Sequence, residues 1–424
     1  MFAYNYLLAC ISLLGSVFAF KVFPALLATG LAIAVYLAAM EVCRNRTLAA
    51  ISGFFAGFVP AMLRITTNSL SSHNLTLMLF VLSLYSLIRL EKTKQAFPWV
   101  ILSSTLLALF SPFAMAFVVV LWVHMAMLKI LGIKLQPKSF ELMLFITFLV
   151  LVVNSIVMMQ AGSGIVALLA SLQPYAGYGM DWGGLLSGIN VVVLILGIQG
   201  IYIALSKETG KREAAFFIST AIAVILLGLV GLLDLGLILG TIGVVLSITS
   251  VYSLNEIVKY VGKLRLASKH LLLIGLLTFA FALVVLQGVF EVFAADDSQA
   301  KAADIQGLLW LRNNSPSGST VLAPLEYGHL ITYFAQRRDM VDTNMINSGG
   351  TEQRLSDIGV VYTTKYETEA MKILDRYNVR YILFNQEIAA QFKSQGLSYS
   401  SDEDCFELVF NNSIEIYEVK CRLS

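Results

Sequence analysis

A succession of long apolar segments is the feature that most constrains the fold of this chain. A helix needs about 20 mainly apolar residues to cross a bilayer. Two further runs are long enough for two crossings each, because residues 97–131 are interrupted at Ser111-Pro112 and residues 215–252 near Asp234. With residues 4–20 as a span or an interfacial helix, the sequence predicts about 10 or 11 crossings. The single apolar runs are residues 22–40, 48–63, 74–90, 139–160, 184–205 and 270–293.

The composition places the chain among membrane proteins. It is 58% hydrophobic and only 13% charged, whereas soluble domains carry about 25% charged residues. The net charge of +2 and the lack of a long basic block give no sign of nucleic-acid binding. The first apolar stretch has no preceding basic region, so it does not fit a secretory signal peptide. We therefore expect the lipid bilayer, and no nucleic acid, as a partner.

Basic residues mark every second loop between the predicted spans, and the intervening loops are almost free of them. Because cytoplasmic loops are enriched in Lys and Arg, the basic loops are expected in the cytoplasm. The outer face then carries residues 69–74, residues 162–183 and the whole C-terminal domain. The expected location is the plasma membrane, if the organism is prokaryotic. The basic residues are Arg44, Arg46, Arg89, Lys92, Lys94, Lys129, Lys134, Lys138, Lys207, Lys211, Arg212, Lys259, Lys263, Arg265 and Lys269.

The C-terminal part of the chain has the composition and size of one small soluble domain. Residues 1–293 form the predicted membrane domain, residues 294–300 a linker, and residues 301–424 the C-terminal domain. Within that domain, helix-like and strand-like segments alternate, which predicts an α/β fold. The sequence thus predicts a polytopic α-helical membrane domain followed by an extracytoplasmic α/β soluble domain. The segments are a helix at 302–313, a strand at 320–323, a helix at 363–377 and a strand at 381–384.

The last two strand-like runs predict a β-hairpin. Residues 406–410 and 414–419 alternate between apolar and polar positions around Asn411-Asn412-Ser413. Cys405 and Cys421 lie at the outer ends of the two runs. A disulfide across the hairpin could form on the outer face, but the sequence leaves the register, and so the pairing, open. The chain has four cysteines, four histidines and no CxxC motif, which argues against a structural zinc site.

The predicted outer loops contain few groups for chemistry. Magnesium or manganese would need carboxylate ligands, and the long loop at 162–183 offers only Asp181. Asp234 is predicted in a short outer turn. Arg64, at the outer end of a span, could snorkel to the interface or contact a lipid phosphate. His73 fits the polar start of a helix better than a metal site, and the Gly-rich and Tyr-rich residues 175–179 fit a substrate clamp and a linker equally.

The stretch Pro324-Leu325-Glu326-Tyr327-Gly328 follows the predicted strand at 320–323 and ends in glycine. Two interpretations are open. It is either an ordinary polar turn with a half-buried tyrosine, since glycine and polar residues mark turns, or a turn that binds a substrate. The amphipathic segment at 329–344 follows it directly.

Taken in order, several stretches resemble the catalytic subunit of oligosaccharyltransferases, the archaeal type most of all. That family transfers an oligosaccharide from a polyprenyl (pyro)phosphate to Asn in Asn-X-Ser/Thr. The resemblance covers nearly the whole chain and implies the fold predicted above. It implies binding of a lipid-linked oligosaccharide and an acceptor peptide, with Arg64, Gln173, Glu326, Tyr327 and Gly328 as substrate-binding positions. The similar stretches are residues 23–37, 60–75, 168–174, 307–314, 326–328, 337–344 and 377–383.

The departures from the family pattern concern its acidic groups. The paired acids of one outer loop look like Ser71 and His73 here, and the Glu before Leu-Gln-Pro looks like Ser171. The family's Trp-Trp-Asp is Pro324-Leu325-Glu326, and its first span and first acidic loop have no counterpart in this sequence. Serine cannot replace a carboxylate as a charged ligand. We therefore predict a fold kept without catalytic residues, and no cofactor.

Three functional hypotheses follow. The preferred one is a non-catalytic relative, acting in protein N-glycosylation by binding a lipid-linked oligosaccharide or an acceptor peptide. The second is an active glycosyltransferase that uses Mn²⁺ or Mg²⁺, with Asp181 or Glu326 as a compensating acid. The third is a transporter or flippase, which would call for polar residues in mid-membrane and internal repeats; neither is visible in the sequence.

Overall fold

The described part of the chain divides into two compact units. The computed structural model describes residues 6–7, 10–11, 22–66, 72–133, 137–160, 188–207, 210–230, 232–233, 235–264, 268–296, 302–341 and 351–422. The chain passes from one unit to the other between Asp296 and Asp297. We call the described residues up to Asp296 the helical unit, and those from Ala302 onward the sheet unit.

The helical unit is built from apolar α-helices of very different lengths. Six helices of its described residues are long and apolar enough to cross a membrane, and three shorter apolar helices of 10–17 residues accompany them. The polytopic membrane architecture is thus confirmed, and the chain is an integral membrane protein. The helices are α1 (Phe23–Cys43), α2 (Arg46–Gly57), α3 (Pro60–Thr66), α4 (His73–Lys92), α5 (Phe97–Phe110), α6 (Ala114–Ile130), α7 (Pro137–Gln160), α8 (Val191–Ser206), α9 (Lys211–Leu229), α10 (Leu235–Lys263) and α11 (Lys269–Asp296).

The span predicted at 48–63 is not one helix. Helix α2 ends at Gly57 and α3 begins at Pro60. Proline has no N–H to continue the helical ladder and disfavours helical dihedrals at the preceding residue, so the chain turns at Phe58 and Val59. The break predicted at Ser111-Pro112 is confirmed, because α5 ends at Phe110 and α6 starts at Ala114.

The break predicted near Asp234 is also present, between the end of α9 at Leu229 and the start of α10 at Leu235. Asp234 itself lies outside the described residues, as does most of 4–20. Of the predicted span at 184–205, residues 184–187 lie outside the described residues, and the part from Val191 onward is helix α8. At the other end, α11 continues to Asp296, which is inside the stretch 294–300 predicted as a linker.

Glycine allows α8 and α10 to pack closely. A Cβ on Gly200 would lie 2.0 Å from the carbonyl oxygen of Thr249, and one on Gly197 would lie 2.6 Å from Leu246 Cβ. The short separation lets Thr249 Oγ1 donate to the Gly197 carbonyl at 3.1 Å and Ser253 Oγ to the Leu196 carbonyl at 2.7 Å. Small residues and interhelical hydrogen bonds of this kind stabilise helix pairs in a bilayer, where burial of apolar surface contributes little.

An ion-pair cluster ties three helices together at the basic end of the helical unit. Lys92, in the last turn of α4, lies 3.5 Å from Glu41 of α1 and 3.7 Å from Glu213 of α9. These pairs join helix ends that the sequence assigns to the cytoplasmic side. Being partly exposed, each pair stabilises the unit by no more than about 1 kcal/mol.

The sheet unit is a mixed five-stranded sheet covered by helices, which confirms the predicted α/β class. Its strand order is β2-β1-β3-β5-β4, with β1 parallel to β2 and β3, and β5 antiparallel to β3 and β4. The elements are α12 (Ala302–Asn314), β1 (Thr320–Leu322), β2 (Arg338–Asp339), α13 (Thr351–Thr363), α14 (Glu367–Arg376), β3 (Val379–Phe384), α15 (Gln386–Phe392), β4 (Phe406–Asn411) and β5 (Glu415–Val419).

The helix predicted at 363–377 is shorter in the structure and is preceded by another. Helix α13 ends at Thr363 and α14 begins at Glu367, with Thr364 accepting from the Tyr366 amide between them. Helix α13 was not predicted, because its sequence is too polar for a helical spacing of apolar residues to stand out. Its buried face is carried by Ile358, Val361 and Tyr362, and the Tyr362 hydroxyl donates to the Leu383 carbonyl of β3 at 2.7 Å.

The C-terminal hairpin has the predicted position. Strands β4 and β5 are antiparallel, with Phe406 opposite Val419 and Asn411 opposite Glu415. Cys405 and Cys421 form a disulfide across its open end, with Cα atoms 4.8 Å apart. The hairpin turn lies against α12 at Gly307, where a Cβ would come within 2.3 Å of Ile414 Cγ2; a larger residue there would have to displace the Ile414 side chain.

Candidate functional site

The predicted binding turn lies directly after strand β1. Pro324 ends the extended segment with φ −59° and ψ 161°, and its carbonyl accepts from the Tyr327 amide at 3.0 Å. This closes a single 3-10 turn over Leu325–Tyr327, which continues into the helical turns of Gly328–Leu330. Tyr327 and Gly328 are buried. The side chain of Glu326 lies outside the description, so its role as a binding residue stays a prediction.

The Tyr327 hydroxyl is the centre of a buried polar cluster. It donates to Asp304 Oδ2 at 3.1 Å and accepts from Asn385 Nδ2 at 2.6 Å. Glu387 Oε2 lies 3.5 Å away. The second oxygen of Asp304 accepts from Ser413 Oγ at 3.1 Å. We call these five residues the Tyr327 cluster.

The Tyr327 cluster joins four separate parts of the sheet unit. Asp304 is in the first turn of α12, Asn385 and Glu387 follow β3, and Ser413 is in the β4–β5 turn. Asp304 is 2% exposed and Asn385 7%, so both depend on their partners inside the protein for hydrogen bonds. The cluster therefore fixes the position of the turn that carries Glu326.

Burial raises the pKa of the Tyr327 hydroxyl well above its usual value, and the neighbouring Asp304 and Glu387 carboxylates add to the rise, while the Asn385 amide opposes it. Tyr327 thus stays protonated near neutral pH and keeps its donor hydrogen bond. A neutral hydroxyl already held on both sides is suited to positioning the turn, and not to accepting a proton.

Arg337 holds the other end of helix α12. Its guanidinium donates to the Arg312 carbonyl and to Ser315 Oγ, both at 2.7 Å, and to the Gln336 carbonyl at 3.0 Å. It also donates to the carbonyl of Ser315. A cation at the carboxyl end of a helix complements the helix dipole, so Arg337, which the resemblance placed in the stretch 337–344, is committed to internal contacts.

Solved structures of an archaeal enzyme share this architecture. AglB from Archaeoglobus fulgidus, in complex with an inhibitory peptide and a dolichol-phosphate, has a TM-score of 0.67 at 13% identity, over 91% of this chain and 61% of AglB. The apo form of the Archaeoglobus fulgidus oligosaccharyltransferase has a TM-score of 0.65 at 14% identity, with the same coverage of 91% and 61%.

This chain has the archaeal oligosaccharyltransferase fold. A third structure, tethered to an acceptor peptide with the NVT sequon, has a TM-score of 0.60 at 14% identity and covers 91% of this chain and 60% of its own. The chain thus spans about three fifths of the length of these oligosaccharyltransferases. No protein-family model and no curated protein matches the sequence. The resemblance stated from the sequence is confirmed at the level of the fold.

The structure describes only part of the positions that resemble the oligosaccharyltransferase site. Arg64 is exposed in the last turn of α3, and His73 is half-buried at the first residue of α4. Both belong to the helical unit, on either side of residues 67–71. The positions outside the described residues are Ser71, Ser171, Gln173 and Asp181, and their predicted roles stay predictions.

That the matched positions hold no divalent metal stays a prediction, because Ser71 and Ser171 lie outside the described residues. Two serines and the His73 imidazole would replace the carboxylates that Mg²⁺ and Mn²⁺ prefer. Among the described residues, one group of three potential ligands has its ligand atoms within 4.8 Å of one another, formed by Glu367, Asp402 and Cys405. The Cys405 sulfur is in the disulfide, so this group offers two partly exposed carboxylates and no thiolate.

Sequence reasoning missed the partners of Tyr327. Asp304 is an acid in the first turn of a helix, which is common for helix-dipole reasons alone. The order of the strands could have indicated that these residues meet. The 325–328 turn and Asn385 each follow the carboxyl end of a strand, and β1 and β3 are parallel neighbours. Residues after such strands converge at one sheet edge, but the pairing of β1 with β3 cannot be read from separate segments.

Proposed function

We propose that this chain is a non-catalytic, oligosaccharyltransferase-like membrane protein of the N-glycosylation type. It binds a polyprenyl-phosphate-linked oligosaccharide or an Asn-X-Ser/Thr acceptor peptide and does not transfer the sugar. The observation that carries the proposal is the shared fold over 91% of the chain. The solved structures hold a dolichol-phosphate with an inhibitory peptide, and an acceptor peptide, which supports these two ligand classes here.

The orientation is part of the proposal. Residues 1–293 lie in the membrane, residues 294–300 connect, and residues 301–424 lie on the outer face. Two independent observations support this. The basic ends of the helices alternate as expected for cytoplasmic loops, with Lys269 at the start of α11, the last helix before the sheet unit. The Cys405–Cys421 disulfide is of a kind that persists in oxidising compartments outside the cytosol.

The side chains at the matched positions support the absence of catalysis. Activation of an amide nitrogen and of a phosphate leaving group is favoured by a bound divalent cation, and Mg²⁺ and Mn²⁺ prefer carboxylate ligands. At the matched positions, Ser71, His73 and Ser171 supply hydroxyls and an imidazole. The alternative is an active glycosyltransferase, in which Asp181 or Glu326 would supply the missing carboxylate.

Three parts of the chain are assigned to ligand contact. Arg64, exposed at the end of α3, would contact the lipid phosphate, because a guanidinium can donate to two phosphate oxygens at once. Glu326 and the buried Tyr327-Gly328 turn, held by the Tyr327 cluster, would contact the peptide. Gln173 is the third assigned contact.

The experiment is a binding measurement with the full chain in lipid nanodiscs. Polyprenyl-phosphate-linked oligosaccharide and a fluorescent Asn-X-Thr peptide are titrated separately, and the affinity of the Arg64→Gln variant is compared with that of Arg46→Gln. Both arginines are exposed at helix ends, but Arg46 belongs to the basic loops. We expect Arg64→Gln to weaken donor binding at least about tenfold, since charge-assisted contacts stabilise by about 1.5–3 kcal/mol.

The control variant Arg46→Gln should leave donor affinity unchanged. Equal weakening by both variants would indicate general attraction of anionic lipid to basic residues, and would contradict the assignment of Arg64. Binding of neither ligand at micromolar concentrations would contradict the proposed function as a whole.

A further inference from the structure

The sequence contains four Asn-X-Ser/Thr triplets, which begin at Asn45, Asn74, Asn313 and Asn411. Such triplets are acceptors for N-glycosylation where the chain is exposed outside the cytosol. The structure separates the four by exposure, by the partners of their side chains and by the unit that carries them.

Two of the four triplets lie in the helical unit and are unsuited to modification. Asn45 caps helix α2, its Oδ1 accepting from the Thr47 amide at 3.1 Å, and it lies between Arg44 and Arg46 in a basic loop. Asn74 is in α4 and only 1% exposed. A glycan on Asn74 would have to enter the packed helices.

The third triplet lies in the sheet unit but within helix α12. Asn313 and Asn314 are in its last turn, and the hydroxyl of Ser315 accepts from Arg337 Nε at 2.7 Å. Pro316 follows at once. What sets this triplet apart from the one at Asn411 is that Asn313 lies in a helical backbone and that a proline directly follows the triplet.

The fourth triplet forms the tip of the C-terminal hairpin. Asn411 ends strand β4, and Asn411, Asn412 and Ser413 are all exposed. The turn is closed by the Asn412 amide, which donates to the Ile414 carbonyl at 3.3 Å. A large substituent on the Asn411 amide would project into solvent without displacing the core.

We propose that Asn411 is an N-glycosylation site of this chain. The Asn411 Nδ2 atom forms a bond to the anomeric carbon of a lipid-linked oligosaccharide, and the bond from that carbon to the lipid phosphate oxygen breaks. The phosphate leaves with the electron pair, and one proton leaves the amide nitrogen. The inference rests on the outward orientation in the proposed function; it does not require this chain to catalyse the transfer.

The Tyr327 cluster determines when the modification takes place. In the folded hairpin, Ser413 Oγ donates to the buried Asp304 at 3.1 Å, and Asn411 is paired with Glu415 across the hairpin. The hydroxyl that an acceptor triplet presents is therefore occupied. Modification precedes closure of the hairpin onto α12, during or directly after translocation.

The test is glycopeptide mass spectrometry of the full chain, expressed in host cells that glycosylate Asn-X-Ser/Thr sites of exported proteins. A reporter Asn-Gly-Thr tail follows Ser424. We expect the Asn411 peptide to carry glycan and the Asn45, Asn74 and Asn313 peptides to carry none. Asn411→Gln and Ser413→Ala should abolish the signal, whereas Ser413→Thr, which keeps the hydroxyl, and the matched control Asn313→Gln should retain it.

The reporter tail separates the two ways of failing. A modified tail with an unmodified Asn411 would overturn the glycosylation proposal alone. If neither were modified, the outward orientation, and with it the proposed function, would be wrong. Modification of already folded, disulfide-closed protein by added membranes and lipid-linked donor would contradict the proposed timing.

Discussion

Replacing Tyr327 by phenylalanine is the sharpest perturbation of the Tyr327 cluster. The change keeps the ring in the core and removes only the hydroxyl that Asp304 and Asn385 share. Asp304 Oδ2 and Asn385 Nδ2, at 3.1 and 2.6 Å, lose this partner. Asp304 retains Ser413 on its other oxygen, and the Asn385 carbonyl still caps α15 through the Ile388 amide at 2.9 Å.

The expected loss of stability follows from these contacts. A hydrogen bond to a charged group stabilises by about 1.5–3 kcal/mol, and a neutral one by about 0.5–1.5 kcal/mol. Since both partners keep other bonds, we expect the sheet unit to lose about 2–3 kcal/mol. That corresponds to a roughly 30- to 150-fold larger equilibrium constant for opening of the sheet unit.

Hydrogen exchange measured by mass spectrometry on the full chain in detergent tests this magnitude. Amides of β3, at the centre of the sheet, report the opening of the sheet unit. The matched control is Tyr366→Phe, at a tyrosine that is 73% exposed, where surface changes shift stability by less than about 0.5 kcal/mol. Equal exchange rates in the two variants would refute the view that the Tyr327 hydroxyl holds the turn in place.

Three further predictions concern stability. The double variant Cys405→Ser/Cys421→Ser removes a disulfide that closes a loop with a sequence separation of 16, and it should destabilise the sheet unit by about 3 kcal/mol. Denaturant unfolding measures the loss, and the reduced parent protein should unfold at a similar denaturant concentration to the variant. Gly200→Ala should lower the melting temperature in detergent, because its Cβ meets a backbone oxygen, whereas Gly262→Ala, with open space around it, should not. The buried tyrosines are Tyr327, Tyr362 and Tyr399. Raising the pH above about 10 should lower the free energy of unfolding of the sheet unit by about 1.4 kcal/mol per pH unit for each of them. The loss should be absent below that pH, and alkaline unfolding measures it.

The sign of the pH effect follows from the direction of the pKa shifts. Burial raises the pKa of all three tyrosines in the folded state. Below their unfolded pKa, near 10, both states are protonated and the folded state keeps its full stability. Above it, the unfolded state releases protons that the folded state retains, so stability falls. A stability that stayed flat from pH 9 to 11 would contradict the burial of these hydroxyls.

The fold was predictable from the sequence wherever one local signal decided the structure. Apolar length predicted the membrane helices, Ser111-Pro112 predicted the division between α5 and α6, and period-two alternation predicted the hairpin. The span at 48–63 was mispredicted because apolar length outweighed Pro60, which ends the helix there. Helix α13 was missed because few apolar residues mark its buried face.

The candidate site was less predictable, since it depends on pairing between distant segments. The turn at Tyr327 was identified from its place after a strand, but its partners are 23, 58 and 60 residues away in sequence. Asp304, Asn385 and Glu387 each have an ordinary local explanation. Only the parallel pairing of β1 with β3 and the packing of α12 on the hairpin bring them together.

The measurement that tests the central claim most directly is a transfer assay. Purified full-length protein in nanodiscs receives lipid-linked oligosaccharide, a labelled Asn-X-Thr peptide and Mn²⁺, and the products are separated by mass. We predict bound donor and no glycopeptide, both for this protein and for the Asp181→Ala/Glu326→Gln double variant. Metal-dependent glycopeptide that disappears in the double variant would contradict the account, and would show that these acids replace the missing carboxylates.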